Sequence, residues 1–268
     1  MSAPGRGGTR VSKLWRTLSG DRSRQVLTLT AATAQVLLPT LWGTRFAEDE
    51  QPPNVIQPAS YTFAVWLPIF ASSLGYAGLQ AQGAARENEL MRAVGWPLAG
   101  AFASTGVWAP LVRTGKYWSA QAALGAIAAL ADTARRRVAR AQPPETDRAL
   151  NASSTLTAGM LAAWGVTATG VNLASMLASK GLIPPGGRRT GAAVGLLLGL
   201  GAVGAAATRS TGAAPVSKVY AGTLIWGLSG VVVGQRKQSS VAAIAAGAAM
   251  VLILLAATPP IARDTTTP

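Results

Sequence analysis

Eight apolar runs constrain this chain more than any other feature. They cover residues 26–44, 60–82, 94–112, 118–134, 152–179, 190–208, 216–234 and 240–258, and short connections between them carry the charges. Most approach the roughly 20 residues that a helix needs to cross the hydrocarbon core of a bilayer. A segment inside lipid must satisfy its own backbone hydrogen bonds, and a helix does this within one segment. The period-2 alternation of a β-barrel is absent. The pattern predicts an all-α polytopic membrane helix bundle of eight transmembrane helices, the fourth being the shortest.

Composition agrees. Charged residues make up 13% of the chain, against about 25% in soluble domains. The net charge of +14 raises the question of nucleic acid. The bases are scattered over short loops between apolar runs, so membrane lipids are the expected partner and nucleic acid is not. Cysteine and histidine are both absent. That excludes disulfides, the usual zinc and haem ligand sets, and the Ser-His-Asp and Cys-His devices. A carboxylate mechanism stays open in principle, but nine of the ten acids lie in loops or tails and Asp132 ends an apolar run. No catalytic residue, metal site or cofactor is expected, and the chain is not read as an enzyme.

Residues 1–25 are basic and rich in Gly and Ser, and read as a disordered cytoplasmic tail. The alternative is a secretory signal with its apolar core at 26–43 and cleavage near Ala47, but that core is long for a signal peptide. Breaks at "PPETDRA" (143–149) and "PPGG" (184–187) divide the rest of the chain. Five helices occupy 26–180, three Gly/Ala-rich helices occupy 181–258, and 259–268 form a C-terminal tail. With the N-terminus inside, sixteen of the twenty-four bases face inward and Glu48, Asp49 and Glu50 face outward. The positive-inside rule then places both termini in the cytoplasm, with the protein in a bacterial cytoplasmic membrane. No internal repeat is evident, which argues against an inverted-repeat transporter.

Seven of the eight tryptophans precede the last three helices, and only Trp226 lies among them. Trp42, Trp96 and Trp118 lie near the ends of runs and suit an interfacial belt. Trp66, Trp108 and Trp164 lie deeper, where a pocket and a lipid-facing position are both open. Trp66 and Phe70 are four apart, on one helical face. Trp164, Ala168 and Asn172 recur at the same spacing on another run. An amide such as Asn172 inside a span either joins helices or holds a ligand. Gly191, Gly195 and Gly199, like Gly230 and Gly234, let helix backbones approach closely. Internal packing of the last three helices is the preferred reading of both sets, with a homodimer face as the alternative. Pro39, Pro68, Pro97 and Pro110 lie in or near spans and can kink them.

Three stretches together resemble a known family. "PPNVIQPASYTFAVWLPIF" (52–70) is similar to the proline-rich loop and aromatic second-helix entrance of the tryptophan-rich sensory protein / translocator protein (TspO/MBR) family. "STGVWAPLV" (104–112) resembles its third-helix pattern, with Thr105 where asparagine is usual. "AAWGVTATGVNLASML" (162–177) resembles its fifth-helix pattern. The resemblance covers about 26–180 and implies a five-helix core to which the last three helices are added. It implies a helix-bundle pocket for a flat hydrophobic molecule, such as a porphyrin, sterol or lipid, and a sensory or regulatory role. Tyr61, Trp66, Phe70, Trp108, Trp164 and Asn172 would line that pocket. The 52–70 stretch would cover it as a lid stiffened by its prolines. The last three helices, nearly all apolar, would add no chemistry to the site. The alternatives are passive transport of a hydrophobic solute and a scaffold acting through the glycine-rich helices.

Overall fold

A computed structural model describes residues 20–42, 56–141, 147–183 and 186–258. Residues 1–19 of the N-terminal tail, the acidic cluster, Pro52–Val55, residues 143–146 of the 143–149 break, Pro184, Pro185 and the C-terminal tail therefore lie outside the described residues; the end of the segment read as a disordered tail, from Asp21 on, is instead helical, with Arg24 and Gln25 buried.

Among the described residues there are eight α-helices and no strand. They are α1 (Asp21–Trp42), α2 (Trp66–Ala81), α3 (Glu89–Arg113), α4 (Tyr117–Arg140), α5 (Arg148–Ser179), α6 (Gly187–Ser210), α7 (Pro215–Gln235) and α8 (Ser240–Ala257). Each overlaps one apolar run, α1 starting earlier than its run and α4 ending later. A 3₁₀ segment, Ser60–Val65, leads into α2. Local signals set several boundaries. The Asn88 side chain accepts the Met91 N–H at the start of α3, and Ser239 accepts the Ala242 N–H at the start of α8. Pro215 opens α7, where a missing N–H costs nothing. Gly115 and Gly212 follow α3 and α6 at φ 69° and 58°, left-handed positions that a Cβ disfavours.

Five helices are long and apolar enough to cross a membrane: the segment Ser60–Ala81 that includes α2, together with α5, α6, α7 and α8. At 22, 25 and 24 residues, α1, α3 and α4 have the length but less apolar sequences. These three are neighbours. Several of their polar side chains point inward, with Arg24, Gln25, Thr28 and Gln35 of α1, Thr105 of α3 and Arg135 of α4 all buried.

The first five helices close a ring in the order α1–α2–α5–α4–α3. The joint between α1 and α2 is polar at one end. Arg24 donates to Gln80 Oε1 at 2.8 Å and to the Arg86 carbonyl at 2.7 Å. The Gln25 and Gln80 amides each donate to the other's backbone carbonyl, at 2.6 and 3.0 Å. Between α4 and α5, Gly165 presses on the Ala128 backbone so closely that a Cβ would lie 3.0 Å from it.

The last three helices are built onto this ring. α7 lies along α5, α8 lies on α7 and α6, and one continuous apolar core runs from Phe102 and Leu161 to Leu224 and Ile253. Arg135 of α4 is fully buried, pairs with Asp132 at 2.7 Å, donates to Thr211 Oγ1 at 2.6 Å, and sits 4.6 Å above the Tyr220 ring of α7. The division drawn at 180–181 therefore passes through a shared core and a buried charge cluster.

The glycines behave differently from the internal packing expected of them. Gly191, Gly195 and Gly199 are exposed, and a Cβ at any of them would meet nothing within 4 Å. The close approaches of α6 come instead at Gly201, against Ala249 of α8, and Gly204, against Leu224 and Ile253. Gly230 and Gly234 do not pack helix on helix. They receive the chain that enters α2.

Candidate ligand site

α5 supplies the centre of the site. Trp164 is 3% exposed at the midpoint of that helix, with its ring held by two others. Trp66 meets it edge-on at 6.0 Å between centroids, and Phe63 does so at 5.9 Å. Trp66 also stacks on Phe70 at 5.2 Å and 28°, the pair that their four-residue spacing predicts. The entrance of α2 thus folds three aromatic rings toward one on α5, in geometries that aromatic pairs prefer.

The six sequence-derived positions do not all join this cluster. Trp66, Phe70 and Trp164 are brought together. Tyr61 is 43% exposed, and its ring turns away to meet Trp226 of α7 edge-on at 5.4 Å. Trp108 lies on α3, half-buried at the margin of the core. Asn172 lies two turns beyond Trp164 and donates from Nδ2 to the Ala168 carbonyl of its own helix at 3.0 Å. That bond joins no second helix. Thr105, in the place of the family's usual asparagine, is buried and likewise bonds its own helix, at Ala101. Trp96 and Trp118, assigned to the belt, are 38% and 59% exposed.

Sequence spacing missed two residues. Phe63 lies inside the aromatic stretch, three residues before Trp66, and its placement depends on the 3₁₀ turn. Trp226 stands apart in sequence as the lone tryptophan of the last three helices, but nothing local ties it to residue 62. Its indole N–H donates to the Thr62 carbonyl at 2.9 Å.

The helices that carry this cluster, and α1 beside them, bury several polar groups without partners among the described residues. The Trp164 indole N–H and Thr157 hydroxyl of α5, the Ser73 and Tyr76 hydroxyls of α2, and both amide atoms of Gln35 on α1 are buried without a hydrogen-bond partner among the described residues. They sit on three consecutive helices of the ring. Buried polar atoms are ordinarily satisfied by protein, water or ligand.

The family model described as TSPO-like protein matches residues 26–258, so the match runs through the last three helices as well as the ring. No curated protein and no solved structure matches the chain.

Proposed function

The chain belongs to the TSPO-like protein family and is a membrane protein of TspO type, and on that premise we propose that it binds a flat hydrophobic ligand inside the five-helix ring. The ligand class is porphyrin-like, sterol-like or lipid-like, and the role is sensory or regulatory binding rather than catalysis. Trp66, Phe70 and Trp164 supply the apolar faces, with Phe63 closing over them. Tyr61 shapes the entrance, Trp108 bounds the chamber from α3, and Asn172 offers its amide oxygen as a polar anchor.

The observation that carries this reading is Trp164, a buried ring between two aromatic edges whose N–H has no protein acceptor among the described residues. Leaving a buried donor unsatisfied costs about 1–3 kcal/mol. A ligand acceptor at this atom would recover that cost on binding.

The test is Trp164→Phe, with protoporphyrin IX and a sterol as probes and a thermal melt beside each titration. Phenylalanine keeps an aromatic face and removes the unpaired donor. The melt should be little changed, while affinity for the preferred probe should fall by roughly fivefold, the worth of about one hydrogen bond. Equal affinity in a folded variant would remove Trp164 from the site. Flux of the probe through proteoliposomes, without retention by the protein, would instead favour passive transport.

A further inference from the structure

The segment that covers the aromatic cluster is fastened to α7. Three hydrogen bonds among the described residues help to hold it. The Ala59 N–H donates to the Gly230 carbonyl at 2.9 Å, the Trp226 indole N–H to the Thr62 carbonyl at 2.9 Å, and the Gln235 amide to the Gln57 carbonyl at 3.0 Å. All three engage the backbone of the segment, so they fix its path whatever side chains it carries.

The glycines of α7 make the seat. A Cβ at Gly230 would come within 2.8 Å of Thr62 Cβ, and one at Gly234 within 2.7 Å of the Gln57 carbonyl oxygen and 2.9 Å of the Ala59 nitrogen. Separations under 3.0 Å essentially never occur for a real Cβ, so this notch exists only because both positions are glycine. Thr62 is fully buried in it.

The same short segment faces two ways. Tyr61 meets Trp226 of α7, and two residues later Phe63 meets Trp164 of α5. Lifting Phe63 from Trp164 therefore requires the 3₁₀ turn to move, and the turn is held from the α7 side.

We propose that Trp226, Gly230 and Gly234 of α7 are positioning residues that hold residues 57–65 over the ligand site and so set how fast ligand enters and leaves. This rests on the reading of the aromatic cluster as a ligand site. None of the three need touch the ligand. Loosening the fastening should speed entry and exit together, and leave the equilibrium affinity nearly unchanged.

The experiment uses the full-length protein in nanodiscs, with protoporphyrin IX as the probe. Stopped-flow fluorescence gives association and dissociation rates, and hydrogen exchange reports the amides of 59–65 without any ligand. Trp226→Phe removes the indole donor and keeps a ring beside Tyr61; Gly230→Ala fills the notch; Gly195→Ala is the control at an open position. Both α7 variants should show faster exchange at 59–65 and rates raised by roughly fivefold in each direction, the equivalent of one net hydrogen bond, with Kd within about twofold of wild type. Faster exchange with unchanged rates would overturn the proposal, as would unchanged exchange in both variants or a loss of affinity without a change in association rate. Wild-type protein that takes up no protoporphyrin IX would overturn the ligand-site reading for this class of ligand, and the rate claim with it.

Discussion

The indole of Trp226 reaches 164 positions back along the chain to donate to the Thr62 carbonyl. That bond ties α7 to the segment that leads into α2 and lies beside the aromatic cluster. Helices α1–α5 alone, ending near Ser179, would lose the hydrogen bonds that hold residues 57–62 to α7. They would also lose the Thr211 and Tyr220 partners of a fully buried arginine.

The glycines of the last three helices should separate into two classes. At Gly234 an added methyl collides with backbone atoms of Gln57 and Ala59, which cannot rotate away. Gly234→Ala should destabilise the protein by about 1–3 kcal/mol, as overpacking does. Gly195→Ala meets open space and should be neutral or stabilising by up to ~1 kcal/mol through helix propensity. Thermal melts in one detergent compare them. Equal melting temperatures would show that the Gln57–Ala59 backbone does not lie in the notch.

Arg135 should couple the ring to α7. Lysine keeps the charge but cannot reproduce the fork that reaches Asp132, Thr211 and Ser210 together. Arg135→Lys should cost about 1.5–3 kcal/mol, the range for hydrogen bonds to a charged group. In a double-mutant cycle with Tyr220→Leu, which removes the ring beneath the guanidinium, the two losses should be less than additive. Strict additivity would mean that the two side chains do not act as a unit.

Acid should loosen the start of α1. The Asp21 carboxylate takes a two-pronged contact from Arg92 at 3.0 and 2.6 Å, and this bond, opposed by desolvation, holds its pKa below the ordinary value of 3.8. A depressed carboxylate stabilises the fold above its unfolded pKa and loses that contribution as pH falls through the folded one. Asp21→Asn should therefore melt a few degrees below wild type at neutral pH, and the two curves should converge well below about pH 4. A constant difference at every pH would assign the loss to something other than this charge.

Reporter fusions test the orientation. The described helices place Arg22, Arg86, Arg136, Arg137, Arg140 and Arg209 at one end of the bundle. With that end cytoplasmic, fusions within 140–148 and at the C-terminus should both report cytoplasm. A periplasmic signal from either would reverse or break the topology.

Length, apolarity and spacing are local quantities, and the sequence by itself determined what depends on them. Eight apolar runs became eight helices because each satisfies its own backbone. Trp66 and Phe70 stack because four residues make about one turn. The order of the ring, the burial of Arg24 and Arg135, and the outward face of Gly191, Gly195 and Gly199 depend on which helix lies beside which. No window of sequence carries that. Nor do Gly230 and Gly234 differ locally from the other glycine pairs. Only the tertiary structure decided that they seat a loop from before α2, because a notch is defined by the chain that fills it.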